Sequence, residues 1–192
     1  MAKECILIVI GGVRSGKTSW SEEQSIRLAK KENQRMVYLA SGVAFDQEMK
    51  NRISRHQLDR SSEQWITIEQ PVQIMESVSG FEEGDVVLWD CLTTWLANEW
   101  MESGIFSGGD ANEATSRLTR ELISFIDWAR DHLTALIIVS NEVLSEPVSK
   151  NKATAAYQKA IGELHQTLVG MADTAVEMEA GIPIVRKGEW GM

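Results

Sequence analysis

Residues 11–18, GGVRSGKT, have the types and spacing needed to bind a polyphosphate. Glycines let backbone N–H groups approach phosphate oxygens, and a following helix adds its positive N-terminal end. Lys17 can bridge phosphate oxygens, and the Thr18 hydroxyl can coordinate Mg²⁺. The pattern matches GxxxxGK[ST] in full and predicts a P-loop for a nucleoside triphosphate. Its predicted nucleotide-binding residues are Gly11, Gly12, Val13, Arg14, Ser15, Gly16, Lys17 and Thr18.

A metal-side carboxylate is expected at the end of a neighbouring strand, and Asp90 follows the apolar run VVLW. We therefore predict that Asp90 and Thr18 bind Mg²⁺. The alternative is that Asp90 caps the helix predicted for residues 91–100. Asn141 and Glu142 follow another apolar run, where they could contact substrate or a catalytic water. The alternative is that they are polar only because the chain passes there from a strand into a loop.

His56 lies in a locally basic segment, residues 46–60, DQEMKNRISRHQLDR, whose net charge is +1 against −9 for the whole chain. On a helix, His56 would share a face with Met49 and Ile53, and Arg52 would lie one turn behind it. Burial and nearby positive charge favour the neutral imidazole, which can attack a phosphorus atom or act as a base. The alternative is a buried core histidine with solvated arginines around it.

Short apolar runs alternate with helix-length segments, which predicts an α/β fold with a mostly parallel sheet flanked by helices. The predicted strands are residues 5–10, 36–40, 65–68, 86–89 and 135–139, with a last pair between 174 and 186. The turn AGIP between that pair predicts a hairpin and hence an antiparallel edge near the C-terminus.

Helical periodicity marks two packing helices. Their apolar stripes are Leu118, Leu122, Phe125 and Ala129 in one, and Tyr157, Ile161, Leu164, Leu168 and Met171 in the other. Loops are predicted at residues 102–112 and 145–152, because both segments contain turn-forming residues.

The length of 192 residues favours a single domain over residues 1–192, and the composition is that of a globular protein. The net charge of −9 argues against a nucleic-acid partner or an anionic membrane surface. The longest apolar runs are too short to cross a membrane, and the first of them ends in GGVRSGKT rather than at a cleavage site. We expect a cytoplasmic protein.

The other histidines and the two cysteines favour structural roles. His132 falls at a predicted helix end and His165 on a predicted helix. Cys5 and Cys91 lie in or beside apolar runs without a CxxC pair, so neither a disulfide framework nor a zinc site is expected.

Taken in order, eight segments resemble a known family over nearly the whole chain. The segments are GGVRSGKT, YLAS, DQEMKNRISRH, WITIEQP, VVLWDCLTTWLAN, SNEV, HQTLVGMAD and AGIPIVRKG. The family is the bifunctional adenosylcobinamide kinase/adenosylcobinamide-phosphate guanylyltransferase of cobalamin assembly. The resemblance implies a RecA-like P-loop fold and a homo-oligomer, since family members can assemble as trimers.

The resemblance also implies the reactions. The histidine of RIxxH, here His56, would attack the α-phosphorus of GTP, release pyrophosphate and pass GMP to adenosylcobinamide phosphate. The same protein would phosphorylate adenosylcobinamide with a nucleoside triphosphate, GTP or ATP, held at Lys17. The further residues that the resemblance implies for contact with the guanine nucleotide or its metal are Ser41, Gln57, Arg60, Glu69 and Asp90.

The sequence departs from the family pattern between residues 144 and 165. The family commonly has a Gly-rich segment after NEV, then an arginine and a Phe-x-x-Asp pattern, then Asn-Gln. The residues here are Leu144 and Glu146, Ala155, Tyr157 to Lys159, and His165-Gln166. Added bulk and negative charge at 144 and 146 could weaken corrinoid phosphate binding. Two alternatives therefore stay open: a single-activity P-loop kinase on a small molecule, and a diverged non-catalytic nucleotide-binding regulator.

Overall fold

The computed structural model describes residues 6–42, 64–145 and 149–189. The basic segment of residues 46–60, with His56, Gln57 and Arg60, lies outside the described residues, as do Cys5 and Glu146. Within the described ranges, no helix is long and apolar enough to span a membrane.

Seven strands in the described residues form one sheet. They are β1 (Ile6–Gly11), β2 (Met36–Ala40), β3 (Trp65–Glu69), β4 (Val86–Asp90), β5 (Ala135–Asn141), β6 (Thr174–Glu179) and β7 (Ile182–Lys187). Their order across the sheet is β3-β2-β4-β5-β1-β6-β7. Neighbours are parallel except β6 and β7, which pair antiparallel. The predicted mostly parallel sheet with an antiparallel C-terminal edge is therefore confirmed.

The helices follow the predicted alternation with strands. They are α1 (Lys17–Glu32), α2 (Leu92–Glu102), α3 (Ala111–His132) and α4 (Lys152–Met171), with short 3-10 helices at Ile74–Gly80 and Ile105–Ser107. Asp110 and Asn151 cap α3 and α4, because each side chain accepts hydrogen bonds from two backbone N–H groups of the first turn. Both caps fall in the two segments predicted as loops.

The sheet is covered on both faces, which explains why its central strands are apolar throughout. On one face, Leu7 and Val9 pack with Trp20 and Leu28 of α1. On the other face, strand residues such as Ile8 pack with α2, α3 and α4. The predicted stripes of α3 and α4 lie against this second face: Leu118, Leu122, Phe125, Ala129, Ile161, Leu164 and Leu168 are buried, and Tyr157 and Met171 partly buried.

Because parallel strands end at the same edge of a sheet, the polar residues at their C-terminal ends lie close together there. In register, Ala40 of β2 pairs with Glu69 of β3 on one side and with Asp90 of β4 on the other. Gly11 of β1 pairs with Asn141 of β5. This carboxyl edge therefore carries the start of the phosphate loop and four of the strand ends considered above.

Candidate active site

The phosphate loop runs from the end of β1 to the first turn of α1, the context that its sequence predicted. Gly16, just before α1, has φ +88°, a conformation that favours glycine. Gly11 has no room for a side chain, because a Cβ there would lie 2.6 Å from Ser15 Oγ and 2.7 Å from the Met178 carbonyl oxygen. Both glycines are therefore required by the shape of the loop.

Lys17 is buried, with 7% of its surface exposed, and its Nζ donates to the Gly12 carbonyl oxygen at 3.0 Å. Lys17 is the first residue of α1, and this contact turns its side chain back towards the phosphate loop that precedes the helix. The ammonium group and the N-terminal end of α1 thus place positive charge on the same side of the loop, which favours an anion there.

The turn between β6 and β7 supports the phosphate loop from the side. Gly181 N donates to the Ser15 carbonyl oxygen at 3.0 Å, and a Cβ on Gly16 would lie 3.4 Å from Gly181 Cα. The AGIP turn of the sequence predicts this hairpin only as a sheet edge. No local signal could have revealed its contact with the loop, because the two segments are more than 160 residues apart.

Asp90 is brought to the phosphate loop from the end of β4. Its Oδ2 accepts hydrogen bonds from Thr18 Oγ1 at 3.3 Å and from the Tyr38 hydroxyl at 2.8 Å. The alternative interpretation of Asp90 as a helix cap is wrong, because Cys91 occupies the N-cap position of α2 and makes no side-chain cap bond. Tyr38 was not predicted as a site residue.

Thr18 and Asp90 are suitable ligands for Mg²⁺, which prefers oxygen and is usually held by one or two carboxylates together with substrate phosphates. No described residue donates a hydrogen bond to Asp90 Oδ1, so that oxygen remains available. In the described ranges, no group of three or more His, Cys, Asp or Glu could form an all-protein metal cage. The donor set therefore fits a nucleotide-bound Mg²⁺, and the role itself stays a prediction.

Ser41 and Glu69 lie at the same edge in different environments. Ser41 is fully buried, and its hydroxyl accepts from Trp89 Nε1 at 2.7 Å while its carbonyl oxygen accepts from Asn98 Nδ2 at 2.9 Å. Glu69, at the end of β3, is exposed. Contact of either residue with a nucleotide stays a prediction.

The end of β5 lies beside the phosphate loop. Glu142 N donates to the Gly11 carbonyl oxygen at 2.9 Å. The Glu142 carboxylate closes the following turn, since its Oε1 accepts from Leu144 N at 2.5 Å and from Ser145 N at 3.0 Å. Asn141 Nδ2 instead donates across the edge to Thr93 Oγ1 at 2.8 Å.

Cys91, at the N-cap position of α2, carries a buried thiol. Its Sγ lies 3.2 Å from Thr93 Oγ1 and 3.1 Å from Thr94 Oγ1. Burial, with a smaller contribution from Asp90, raises the pKa of this thiol. Cys91 is therefore held protonated, as expected for a structural core cysteine.

The two described histidines make contacts of the structural kind that the sequence favoured. His132 ends α3 and stacks on Trp128, with ring centroids 4.7 Å apart. His165 of α4 is buried and hydrogen-bonds through Nε2 to Ser140 Oγ at 2.7 Å. Burial lowers the pKa of His165 to about 4, opposed in part by Glu142.

Comparison with known proteins places these features in a family. The family model described as cobinamide kinase / cobinamide phosphate guanyltransferase matches residues 7–185. The bifunctional adenosylcobalamin biosynthesis protein CobP of Pseudomonas aeruginosa is 30% identical over 183 residues, covering 95% of this chain and 97% of that protein. The bifunctional adenosylcobalamin biosynthesis protein CobU of Escherichia coli is 25% identical over 183 residues, covering 93% and 98%. The chain thus belongs to the cobinamide kinase / cobinamide phosphate guanyltransferase family.

Proposed function

We propose that this chain is a bifunctional enzyme that phosphorylates adenosylcobinamide and transfers GMP from GTP to adenosylcobinamide phosphate. The family match over residues 7–185 supports both activities, because its description names a kinase and a guanyltransferase. One contact carries the proposal: Thr18 Oγ1 and Asp90 Oδ2 lie 3.3 Å apart. It joins the phosphate loop to a carboxylate from another strand, an arrangement typical of nucleotide-dependent phosphoryl transfer.

The residues of the phosphate loop would bind the triphosphate in both reactions. Backbone N–H groups of residues 11–18 and the N-terminal end of α1 would face the phosphate oxygens, and Lys17 would offset their charge. Thr18 and Asp90 would hold Mg²⁺, which when bound neutralises charge on the phosphates. GTP or ATP would serve as the phosphate donor.

In the kinase reaction, the hydroxyl oxygen of adenosylcobinamide forms a bond to the γ-phosphorus. The bond from that phosphorus to the bridging oxygen breaks, and a nucleoside diphosphate leaves. Lys17 stabilises charge that moves onto the leaving phosphate, so its removal is expected to slow the reaction strongly.

In the guanylyl transfer, an imidazole nitrogen of His56 forms a bond to the α-phosphorus of GTP, and pyrophosphate leaves. A phosphate oxygen of adenosylcobinamide phosphate then bonds to the same phosphorus, and the phosphorus–nitrogen bond breaks to free His56. We propose Ser41, Gln57, Arg60 and Glu69 as further nucleotide contacts. The position of Ser41 and Glu69 at the edge that carries Asp90 supports their part in this set.

Product analysis tests the proposal. The protein is incubated with Mg²⁺, GTP or ATP, and either adenosylcobinamide or adenosylcobinamide phosphate. We expect the first corrinoid to be phosphorylated and the second to be consumed with release of pyrophosphate. Lys17→Ala is the negative control and is expected to lower the rates of phosphorylation and of GMP transfer about a hundredfold. Consumption of adenosylcobinamide alone would identify a single-activity kinase, and nucleotide binding without either product would identify a non-catalytic regulator.

We also propose that the enzyme is a cytoplasmic homo-oligomer, with the trimer that the resemblance implies as its form. A free thiol at Cys91 fits a reducing compartment. Light scattering coupled to size-exclusion chromatography measures the mass, and a monomer would contradict the proposed assembly.

A further inference from the structure

The end of β5 stands between the two parts of the nucleotide site. β5 has β1 on one side and β4 on the other. Asn141, its last residue, pairs in register with Gly11 at the start of the phosphate loop. Asp90 pairs with Val139, two residues earlier on the same strand. A small group bound at Asn141 would therefore lie next to phosphates held by the loop and by a metal at Asp90.

The amide of Asn141 is held in a fixed orientation. Its Nδ2 donates to Thr93 Oγ1 at 2.8 Å, and Thr93 is itself held by the Tyr157 hydroxyl, which donates to the Thr93 carbonyl oxygen at 2.6 Å. Asn141 is partly exposed, and among the described residues none donates a hydrogen bond to its Oδ1. The side chain therefore presents an acceptor whose direction is set by the donor at its other end.

The neighbouring Glu142 is less suited to this role. Its Oε1 accepts from Leu144 N and Ser145 N, so its carboxylate is used to close the turn after β5. A carboxylate would also repel the negatively charged phosphates bound beside it. A neutral amide oxygen at the same edge can accept a hydrogen bond without that repulsion.

We propose that Asn141 receives the acceptor alcohol of the kinase reaction, with its Oδ1 accepting the hydrogen bond of the hydroxyl group. This inference rests on the proposed kinase activity. The alcohol oxygen, held in line, bonds to the γ-phosphorus as the bond to the leaving nucleoside diphosphate breaks. The hydroxyl proton passes to an oxygen of the transferred phosphoryl group, because an amide cannot take it. Thr93 and Tyr157 act as positioning residues.

The test compares two asparagine variants in the full-length protein. Asn141→Ala removes the acceptor, and Asn112→Ala makes the same change at an exposed position on α3. We expect Asn141→Ala to lower kcat/KM for adenosylcobinamide about tenfold or more. The Kd for GTP is expected to change less than about twofold in both variants. Asn112→Ala is expected to keep the wild-type kcat/KM.

The second activity of the same protein provides an internal control. Formation of the GMP adduct from GTP involves no alcohol, so Asn141→Ala is expected to form it at the wild-type rate. Tyr157→Phe removes the hydroxyl that holds Thr93 and is expected to raise KM for adenosylcobinamide severalfold while leaving the Kd for GTP unchanged. A merely structural role for Tyr157 would lower thermal stability without this separation of KM from Kd.

The outcomes are distinguishable. If wild type phosphorylates adenosylcobinamide and Asn141→Ala does so with equal kcat/KM, the inference is wrong and the proposed function stands. If kinase activity, adduct formation and GTP binding fall together, Asn141 serves the nucleotide or the fold, and the inference is also wrong. If wild type does not phosphorylate adenosylcobinamide, the proposed kinase function fails, and the inference fails with it.

Discussion

Among single residues, Asp90 connects the phosphate loop to β2, the two sides of the proposed nucleotide site. Its Oδ2 accepts from Thr18 on the phosphate loop and from Tyr38 on β2. Tyr38 is 8% exposed, and its ring packs edge-on against Trp65 with centroids 6.2 Å apart. The tyrosine hydroxyl thus holds the carboxylate with one oxygen turned to the loop and the other available to a metal.

Tyr38→Phe is expected to weaken Mg²⁺ binding without disturbing the packing of the ring. Loss of one hydrogen bond from an outer partner of a metal ligand typically lowers metal affinity by about tenfold or more. The measurement is the Mg²⁺ concentration that half-saturates nucleotide binding, and Tyr157→Phe is the matched control because its hydroxyl bonds to the Thr93 carbonyl oxygen instead. Equal Mg²⁺ dependence of wild type and Tyr38→Phe would show that this hydrogen bond does not support the metal site.

The sequence predicted the positions of site residues in the fold only where the pattern is local, and their roles stay predictions. The phosphate loop follows from a contiguous pattern, and Asp90 from its position at a strand end. Tyr38 could not be identified in the same way, because its contact with Asp90 depends on which strands become neighbours. The burial of the Ser41 hydroxyl against Trp89 has the same cause.

At the scale of elements, α4 is fastened to the end of β5 by a buried polar pair. His165 Nε2 and Ser140 Oγ lie 2.7 Å apart, and Ser140 is fully buried. Gln158 of α4 adds a second link, since its Nε2 donates to the carbonyl oxygen of Val143, two residues after β5, at 3.4 Å. Gln158 and His165 fall in the region that departs from the family pattern, and their contacts hold α4 against the strand bearing Asn141.

Burial of His165 is expected to make the fold less stable in acid. The pKa of His165 is lowered to about 4, so the unfolded chain takes up a proton near its ordinary value of 6.5 while the folded protein does not. Stability is therefore lost as pH falls from above 6.5 towards about 4. Between about pH 7 and about pH 5 the loss from this residue is about 2 kcal/mol.

Urea denaturation of wild type and His165→Asn across this pH range measures the effect. The variant is expected to lose less stability on acidification, and the difference above about pH 7.5 reports its packing cost alone. Glu121, whose pKa is raised by burial, responds in the opposite direction but equally in both proteins. The same pH dependence in both proteins would contradict the account.

The elements themselves were largely predictable, because most bury a continuous or periodic apolar pattern. The strand over residues 86–89 and the apolar stripe of α3 are two examples. The 3-10 helix Ile74–Gly80 was not predicted, since a short 3-10 turn has little periodicity to detect. The contact of the β6–β7 turn with the phosphate loop also escaped prediction, because turn chemistry describes only the turn.

At the scale of the whole molecule, the strand order creates the site. Alternating apolar runs predicted a mostly parallel sheet, and the observed topology confirms it. The strand order, with β5 between β1 and β4, could not be predicted from the sequence. The apolar pattern of a strand indicates that the strand is buried, but it does not indicate which strands lie next to it. That order places the phosphate loop, Asn141 and Asp90 along the carboxyl edge of the sheet. The chain as a whole has a net charge of −9.

We propose that the phosphate loop and Asp90 serve a two-step transfer in which His56 carries GMP. Mass spectrometry of the protein after exposure to GTP and Mg²⁺ tests it most directly, with His56→Ala and Lys17→Ala treated in parallel. We expect a GMP-sized adduct on the peptide that contains His56, absent from His56→Ala and strongly reduced in Lys17→Ala. An adduct on another peptide that persists in His56→Ala, or no adduct in wild type that binds GTP, would contradict it.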